Sequence, residues 1–229
     1  FSTGLNPGGD PFGITAGPDG NLWFADAGPT GAIGRITTAG QITEFSTGLN
    51  PSSTPQAIAV GPDGNLWFTD RGTTKAIGRS SLAGAITEFS DGLNPGSSPR
   101  DIAAGPEGSL WFPDSGTIAA IGRISTTGQI TEFSAGLKPG SVPVGIAAGP
   151  DGNLWFADGA RAIGRIGSGI PDPAPSPSIG KPEHNRSCKR KHRKALEAKR
   201  ARHKLTPAVK RQLRKRLRKC LRGASQMPV

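Results

Sequence analysis

The sequence predicts an all-β protein, a β-propeller of four-stranded antiparallel blades, followed by a basic helical hairpin at the C-terminus. A 44-residue unit occurs four times across residues 1–167, marked by one tryptophan each at Trp23, Trp67, Trp111 and Trp155. The units carry tight-turn sequences and no helical periodicity, which favours short antiparallel strands. The charge then reverses: residues 1–170 hold 9 basic and 14 acidic side chains, whereas residues 171–229 hold 19 basic and 3 acidic ones.

Each unit is expected to contain four short strands. In the first unit these strands are predicted at Ile14–Ala16, Leu22–Ala25, Ala32–Thr37 and Gln41–Ser46. The sequence Gly-Pro-Asp-Gly separates the first two strands and Thr-Ala-Gly separates the last two, and both are strong turn signals.

A sheet of this size cannot bury its own faces, so we expect the units to stack as successive blades. The predicted core between blades consists of Leu22, Trp23, Phe24, Ile33 and Phe45. The repeated arginine of the Ala-Ile-Gly-Arg sequence is predicted to be structural like the tryptophan, at Arg35, Arg79, Arg123 and Arg165.

The two ends of the repeat region interrupt a unit. Phe1 stands 44 residues before Phe45, and the fourth unit has no Ile-Thr-Glu-Phe segment after Arg165. The chain also opens without Met, which favours a processed or truncated product whose export signal is not visible. We therefore expect four blades of a six- or seven-bladed ring; the alternative is four blades that close on themselves.

The repeat GPDGNLWFAD followed by IGRITTAGQITEF resembles that of the virginiamycin B lyase, or streptogramin lyase, family. The resemblance covers about residues 1–167 and implies a propeller that commonly has seven blades. It also implies a Mg-dependent elimination that opens the ester of cyclic streptogramin B depsipeptides. The repeat by itself does not imply that activity, since one fold hosts many functions.

Elimination needs a base and an acid, commonly histidine with a carboxylate. Residues 1–170 contain no histidine, and the inner-strand positions where the family often has one hold Phe12, Gln56, Arg100 and Val144. We therefore predict a non-catalytic binding or scaffold module without a cofactor. A lyase whose catalytic blades, and with them Mg, lie outside this sequence remains an alternative, so the enzyme question stays open.

Residues that break the repeat are the candidates for a small-ligand site on the loop face. They are Arg71, Lys75, Arg100 and Asp101, against the alternative of solvated surface. The repeated aspartates at the ends of the second strands have two interpretations, a cation-binding ring or turn caps; they are Asp26, Asp70, Asp114 and Asp158. The repeats offer no Cys/His metal spacing and no phosphate loop.

The C-terminal region divides into a Pro/Ser/Gly-rich linker at 168–187, a basic helical hairpin at 188–222 and a disordered end at 223–229. Thr206 and Pro207 are typical of a helix start, and Val209, Leu213, Leu217 and Leu221 follow at four-residue spacing. Cys188 and Cys220 would meet at the open end of an antiparallel hairpin, which predicts a disulfide in an exported protein.

A segment this basic is expected to bind polyanions through charge. The partners compatible with residues 188–222 are an acidic polymer, an anionic membrane surface or nucleic acid, the last of which defines a third possible function. The predicted contact residues are Arg211, Arg214, Lys215 and Arg218. No apolar run is long enough to span a membrane, and the expected location is secreted or at the cell envelope.

Overall fold

The computed structural model describes residues 1–167, and this part of the chain contains β-strands and no helix. Three sheets have four antiparallel strands and the fourth has three among the described residues. The first sheet is β1 Pro11–Ala16, β2 Leu22–Asp26, β3 Ala32–Ile36 and β4 Ile42–Phe45. The second is β5 Pro55–Val60, β6 Leu66–Asp70, β7 Ala76–Ser80 and β8 Ile86–Phe89.

The remaining two sheets repeat the same meander. The third is β9 Ala103–Ala104, β10 Leu110–Asp114, β11 Ala120–Ile124 and β12 Ile130–Phe133. The fourth is β13 Pro143–Ala148, β14 Leu154–Asp158 and β15 Ala162–Ile166. The all-β class and the four-stranded antiparallel sheets are therefore confirmed, whereas the predicted hairpin at 188–222 lies outside the described residues.

The strand boundaries differ slightly from those expected. β1 starts at Pro11, three residues earlier than predicted. Pro11 pairs with Asp26 and Ile14 pairs with Phe24, and the register of the two strands shifts between these pairs. The fourth strand is shorter than predicted, since the N–H of Thr37 bonds the carbonyl of Gln41 at 2.9 Å and closes the turn there.

The Gly-Pro-Asp-Gly-Asn turn is held by its aspartate. The carboxylate of Asp19 accepts the backbone N–H of Asn21 at 3.2 Å and the indole N–H of Trp23 at 3.1 Å. Gly20 adopts a φ of 77°, in the left-handed region that favours glycine. The turn thus fixes the tryptophan that starts the core between blades.

The core lies between successive sheets. Trp23, Ala25 and Ile33 of the first sheet pack against Ile58, Leu66 and Phe68 of the second, and all six side chains are buried. Equivalent clusters join the second sheet to the third and the third to the fourth. Glycine opposite phenylalanine makes this packing possible: a Cβ on Gly78 would lie 1.9 Å from the ring of Phe68.

The outward faces of the first and last sheets are more exposed than their internal copies. Leu22, predicted to be core, is 40% exposed, whereas Leu66, Leu110 and Leu154 are fully buried. In the second sheet the equivalent side chain, Leu66, packs against the sheet before it. No sheet of residues 1–167 precedes the first one, so Leu22 is left partly exposed. Trp155 likewise is 40% exposed, against 2% for Trp111. No helix in the described part is long and apolar enough to cross a membrane.

Candidate ligand-binding face

The repeated aspartates act as caps for the loops that join the blades. Asp70 is fully buried, and its Oδ1 accepts the backbone N–H groups of Thr54 at 2.7 Å and Gly72 at 2.8 Å. Its Oδ2 accepts the hydroxyl of Ser53 at 2.7 Å. The two backbone contacts recur at Asp26, Asp114 and Asp158. The serine contact recurs at Asp114 and Asp158, whereas Gly9 stands at that position beside Asp26.

These contacts fit the turn-cap interpretation, and at Asp70, Asp114 and Asp158 they occupy both carboxylate oxygens. Within residues 1–167 no group of three or more His, Cys, Asp or Glu side chains is arranged to hold a metal ion. The Mg²⁺ that the family resemblance implies therefore finds no fitting donor set among the described residues.

A second set of carboxyl groups, which sequence reasoning missed, belongs to the outer strands. Glu88 of β8 lies beside Asp70, and its Oε2 accepts the backbone N–H of Asn50 at 2.5 Å. Burial, and then the neighbouring carboxyl of Asp70, raise the pKa of Glu88 to about 8. The same arrangement raises the pKa of Glu132 to about 8 and that of Glu44 to about 7. The sequence does indicate these residues, because each Ile-Thr-Glu-Phe segment contains one glutamate at the same position.

Three of the repeat-breaking residues gather where the second and third blades meet. Arg71 donates to the Oε1 of Gln56 at 2.9 Å and to the hydroxyl of Ser98 at 3.0 and 3.2 Å. Lys75 donates from Nζ to the carbonyl oxygen of Arg71 at 2.7 Å. The lysine thereby braces the loop that carries the arginine.

Arg100 lies beside Arg71 and is exposed. Its Nε donates to the hydroxyl of Ser115 at 2.6 Å. The hydroxyl of Ser115 lies 3.4 Å from the carbonyl oxygen of Ser98, the residue that Arg71 bonds, so the two arginines are held at adjacent serines. Burial, and then the charge of Arg100, lower the pKa of Arg71. No carboxylate of residues 1–167 forms a salt bridge with either group. We call Arg71 and Arg100, with Gln56 and Ser98, the arginine pair site.

Asp101 has a different role from its neighbour. Its Oδ1 accepts the N–H of Ile102 at 2.8 Å, and its Oδ2 accepts the N–H of Ile146, on the inner strand of the next sheet, at 3.0 Å. It therefore links two blades. Asp101 stands where the other repeats have Gly13, Ala57 and Gly145. In this blade β9 is only two residues long, and an isolated bridge between Pro99 and Asp114 precedes it.

The repeated arginine lies over the repeated tryptophan in all four sheets. Trp23, Trp67 and Trp111 lie in the interfaces between sheets, whereas Trp155 lies on the outward face of the fourth. The guanidinium carbon of Arg79 lies 5.7 Å from the ring centroids of Trp67 and Phe89, which themselves stack at 5.8 Å. Arg35, Arg123 and Arg165 lie over Trp23, Trp111 and Trp155 in the same way. The polyanion-binding residues and the cysteines predicted in the tail lie outside the described residues, at Arg211, Arg214, Lys215, Arg218, Cys188 and Cys220.

Successive antiparallel sheets packed face to face, with a capped loop face, define a β-propeller-like repeat protein. The sequence model of the virginiamycin B lyase family matches residues 3–170, so the chain belongs to that family. No curated protein matches the chain.

Solved structures give the same relationship. One is a catalytically inactive histidine-to-alanine variant of virginiamycin B lyase from Staphylococcus aureus, solved with quinupristin. It shares 42% sequence identity with this chain and superposes with a TM-score of 0.65; the match covers 72% of this chain and 54% of that protein. A streptogramin B lyase structure is 33% identical, at a TM-score of 0.58, over 69% of this chain and 54% of its own. A gluconolactonase from Xanthomonas campestris, at 19% identity and a TM-score of 0.55 over 69% of this chain and 58% of its own, shares the fold alone. The chain spans little more than half the length of these proteins.

Proposed function

We propose that residues 1–167 are a non-catalytic, ligand-binding part of a virginiamycin B lyase-family propeller, and that the ligand is a small anion held at the arginine pair site. The observation that carries this proposal is that Arg71 bonds Ser98 and Arg100 bonds Ser115, whose hydroxyl lies 3.4 Å from the carbonyl oxygen of Ser98. The two guanidinium groups thus come from neighbouring blades to one pair of serines, and neither forms a salt bridge with a carboxylate of residues 1–167. Arginine recognises carboxylate and phosphate groups through paired N–H donors.

The surroundings favour an incoming anion. Gln56 and Ser98 orient the guanidinium of Arg71 through hydrogen bonds at 2.9 and 3.0 Å, so part of its conformational freedom is lost before binding. Lys75 adds a third positive charge nearby, where it bonds the carbonyl of Arg71 at 2.7 Å. A bound anion would relieve the repulsion between the two arginines.

Calorimetric titration of the full chain with citrate and with inorganic phosphate, at constant ionic strength, tests this site. Arg71→Gln and Arg100→Gln should each weaken binding by at least about tenfold. Lys138→Gln, an exposed cation on another loop, is the matched control and should leave binding unchanged. Equal affinities in all four proteins would reject the arginine pair site.

The absence of histidine from residues 1–167 supports the non-catalytic part of the proposal. The relative whose histidine-to-alanine variant is described as catalytically inactive is a lyase that needs that residue. Incubation of the full chain with quinupristin and Mg²⁺, followed by chromatography, should leave the depsipeptide ring intact. A rate of ring opening above that of a heat-denatured control would instead favour the lyase alternative. The 42% sequence identity to that relative supports this alternative.

We also propose that residues 188–222 form a tail that binds polyanions, and that the protein is secreted or associated with the cell envelope. The charge of residues 171–229, 19 basic against 3 acidic side chains, supports it. Charge reversal at Arg211, Arg214, Lys215 and Arg218 should abolish salt-sensitive binding to an acidic polymer, and competition by anionic vesicles or DNA then ranks the partners. Unchanged binding after reversal would contradict the tail proposal.

A further inference from the structure

The neutral side chains of the arginine pair site use their acceptor atoms to hold Arg71. The hydroxyl oxygen of Ser98 accepts from Nε of Arg71 at 3.2 Å and from Nη2 at 3.0 Å. A hydroxyl oxygen has two lone pairs, so both are engaged and the O–H of Ser98 is left to donate. The Oε1 of Gln56 accepts from Nη1 of Arg71 at 2.9 Å, which leaves the amide N–H groups of Gln56 as donors.

Arg100 adds further donors from the third blade. Its Nε donates to the hydroxyl of Ser115 at 2.6 Å, whereas its two Nη atoms form no hydrogen bond with any residue of 1–167. Four N–H groups of this guanidinium therefore remain for a ligand. The side chain is exposed, so a ligand can reach them from solvent.

The backbone carbonyl groups around the two arginines are already bonded. The carbonyl oxygen of Ser98 accepts the N–H of Ser115 at 3.2 Å, and that of Pro113 accepts the N–H of Arg100 at 3.0 Å. The carbonyl oxygen of Arg71 accepts from Nζ of Lys75 at 2.7 Å. These oxygens are therefore engaged before a ligand arrives.

The neighbouring carboxylates are engaged in the same way. Asp70, next to Arg71 in the chain, accepts two backbone N–H groups on Oδ1 and the hydroxyl of Ser53 on Oδ2. Asp101, next to Arg100, accepts the N–H groups of Ile102 and Ile146 on its two oxygens. The arginine pair site is thus rich in donors and poor in acceptors.

Two of the four repeats carry this arrangement. Gln56 and Arg71 of the second repeat occupy the same two positions as Arg100 and Ser115 of the third. In the first and fourth repeats these positions hold side chains without polar groups, which are Phe12 with Ala27 and Val144 with Gly159. The donors are therefore confined to one junction between blades among the described residues.

We propose that the arginine pair site selects oxyanions that carry no proton, such as sulfate esters and carboxylates, over phosphates that carry one. This selectivity rests on the proposed function, anion binding at the same site. Every oxygen of a sulfate ester can accept from the donors of Arg71, Arg100, Gln56 and Ser98. The O–H of a protonated phosphate meets donors instead of an acceptor, so it loses its bond to water without replacement.

Phenyl sulfate and phenyl phosphate test the selectivity on the full 229-residue chain. At about pH 4.5, below the second pKa of a phosphate monoester, both carry one negative charge and they differ by one proton. Calorimetric titration in a buffer without carboxylate or phosphate should then show phenyl sulfate binding at least about tenfold more tightly. At about pH 7.5 the phosphate has lost that proton, and the preference should disappear.

Three variants separate the site from the basic residues 188–222, which attract both esters equally because their charges are equal. Arg71→Gln should abolish the preference at about pH 4.5, and Lys138→Gln, the matched control, should retain it. Gln56→Glu replaces an amide donor by an acceptor for the phosphate proton, so it should lower the preference at least about fivefold. Circular dichroism verifies the folding of each variant.

Equal affinities of the two esters at about pH 4.5 in the unmodified chain would overturn the proposal, as would a preference that survives Arg71→Gln. Titration with citrate at about pH 7.5 distinguishes this failure from that of the proposed function. Citrate binding that depends on Arg71, together with equal ester affinities, rejects the selectivity alone. Citrate binding that does not depend on Arg71 rejects the arginine pair site itself.

Discussion

The carboxyl group of Glu88 lies beside the fully buried carboxylate of Asp70, at the junction of two strands and one loop. One member of this pair needs a proton, because two buried like charges in contact repel each other. The first and third blades contain the same relationship, between Glu44 and Asp26 and between Glu132 and Asp114. In each pair, burial and the neighbouring carboxyl raise the pKa of the glutamate, which favours its protonated form beside the loop that the aspartate caps.

This relationship predicts that the propeller loses stability as the solution becomes alkaline. The pKa of Glu88 is about 8 in the folded protein, against an ordinary value of 4.5, so the folded state binds the proton more tightly than the unfolded state. The stabilisation is fully present below the ordinary value and disappears as the pH rises through about 8. Thermal unfolding at several pH values should show a Tm that falls between about pH 5 and pH 9.

The triple variant Glu44→Gln, Glu88→Gln and Glu132→Gln isolates the source of that fall. An amide retains a donor for the aspartate without titrating, so the Tm of the variant should depend less on pH over this range. Asp91→Asn, at an exposed position, is the control and should retain the full dependence. A wild-type Tm that stays constant or rises over this interval would contradict the shared-proton arrangement.

The contact between Gly78 and Phe68 predicts a steric limit in the sheet. A Cβ on Gly78 would lie 1.9 Å from the phenyl ring, so Gly78→Ala should destabilise the protein by about 1–3 kcal/mol through overpacking. Gly145→Ala is the control, because the nearest atom to its added Cβ is the Oδ2 of Asp101, at 3.7 Å. Denaturant unfolding measures both, and equal losses would refute the steric explanation.

Equivalent tryptophans should differ in what their removal costs. Trp67 is fully buried between two sheets, so Trp67→Ala should cost about 3–5 kcal/mol of unfolding free energy. Trp155 is 40% exposed, so Trp155→Ala should cost clearly less. The two tryptophans occupy the same position of the repeat, so they differ mainly in exposure. Chemical denaturation of the two variants measures the loss of unfolding free energy at each position. A larger loss at Trp155 would show that exposure does not set the contribution.

The bond from Asp101 to the next blade predicts a local effect on stability. Its Oδ2 accepts the N–H of Ile146 at 3.0 Å, and Asp101→Ala should cost about 1–3 kcal/mol because that donor loses its partner. Hydrogen exchange should also accelerate at the Ile146 amide. Asp101→Asn, which retains a carbonyl acceptor, should preserve most of the protection, and identical exchange in both variants would contradict the assigned bond.

Much of the fold was predictable from the sequence because its signals are local and repeated. The tryptophan spacing and the Gly-Pro-Asp-Gly turns placed the strands to within a few residues, and the structure extends β1 only where pairing resumes at Pro11. The exposure of Leu22 was not predictable, because one repeat looks like another until its neighbours are known.

The candidate site divides in the same way. Breaks in the repeat identified Arg71, Lys75, Arg100 and Asp101, but the sequence could not tell which of them meet. The structure brings Arg71 and Arg100 together and assigns Asp101 to a bond with Ile146. The glutamate pairs were overlooked because a strand glutamate normally faces water, and its burial depends on a loop that returns from another blade.

The sequence alone determined the repeat, the turn chemistry and the acidic body with its basic tail, since these depend on residues close together in the chain. Only the tertiary structure decided that the repeated aspartates cap loops, that each outer-strand glutamate lies partly buried beside one of them, and that the fourth sheet has three strands among residues 1–167. Those properties arise from contacts between residues 16 to 45 positions apart, as in Asp10 with Asp26 and Asp101 with Ile146. Distance through space, and the exclusion of water there, set their charge and their chemistry.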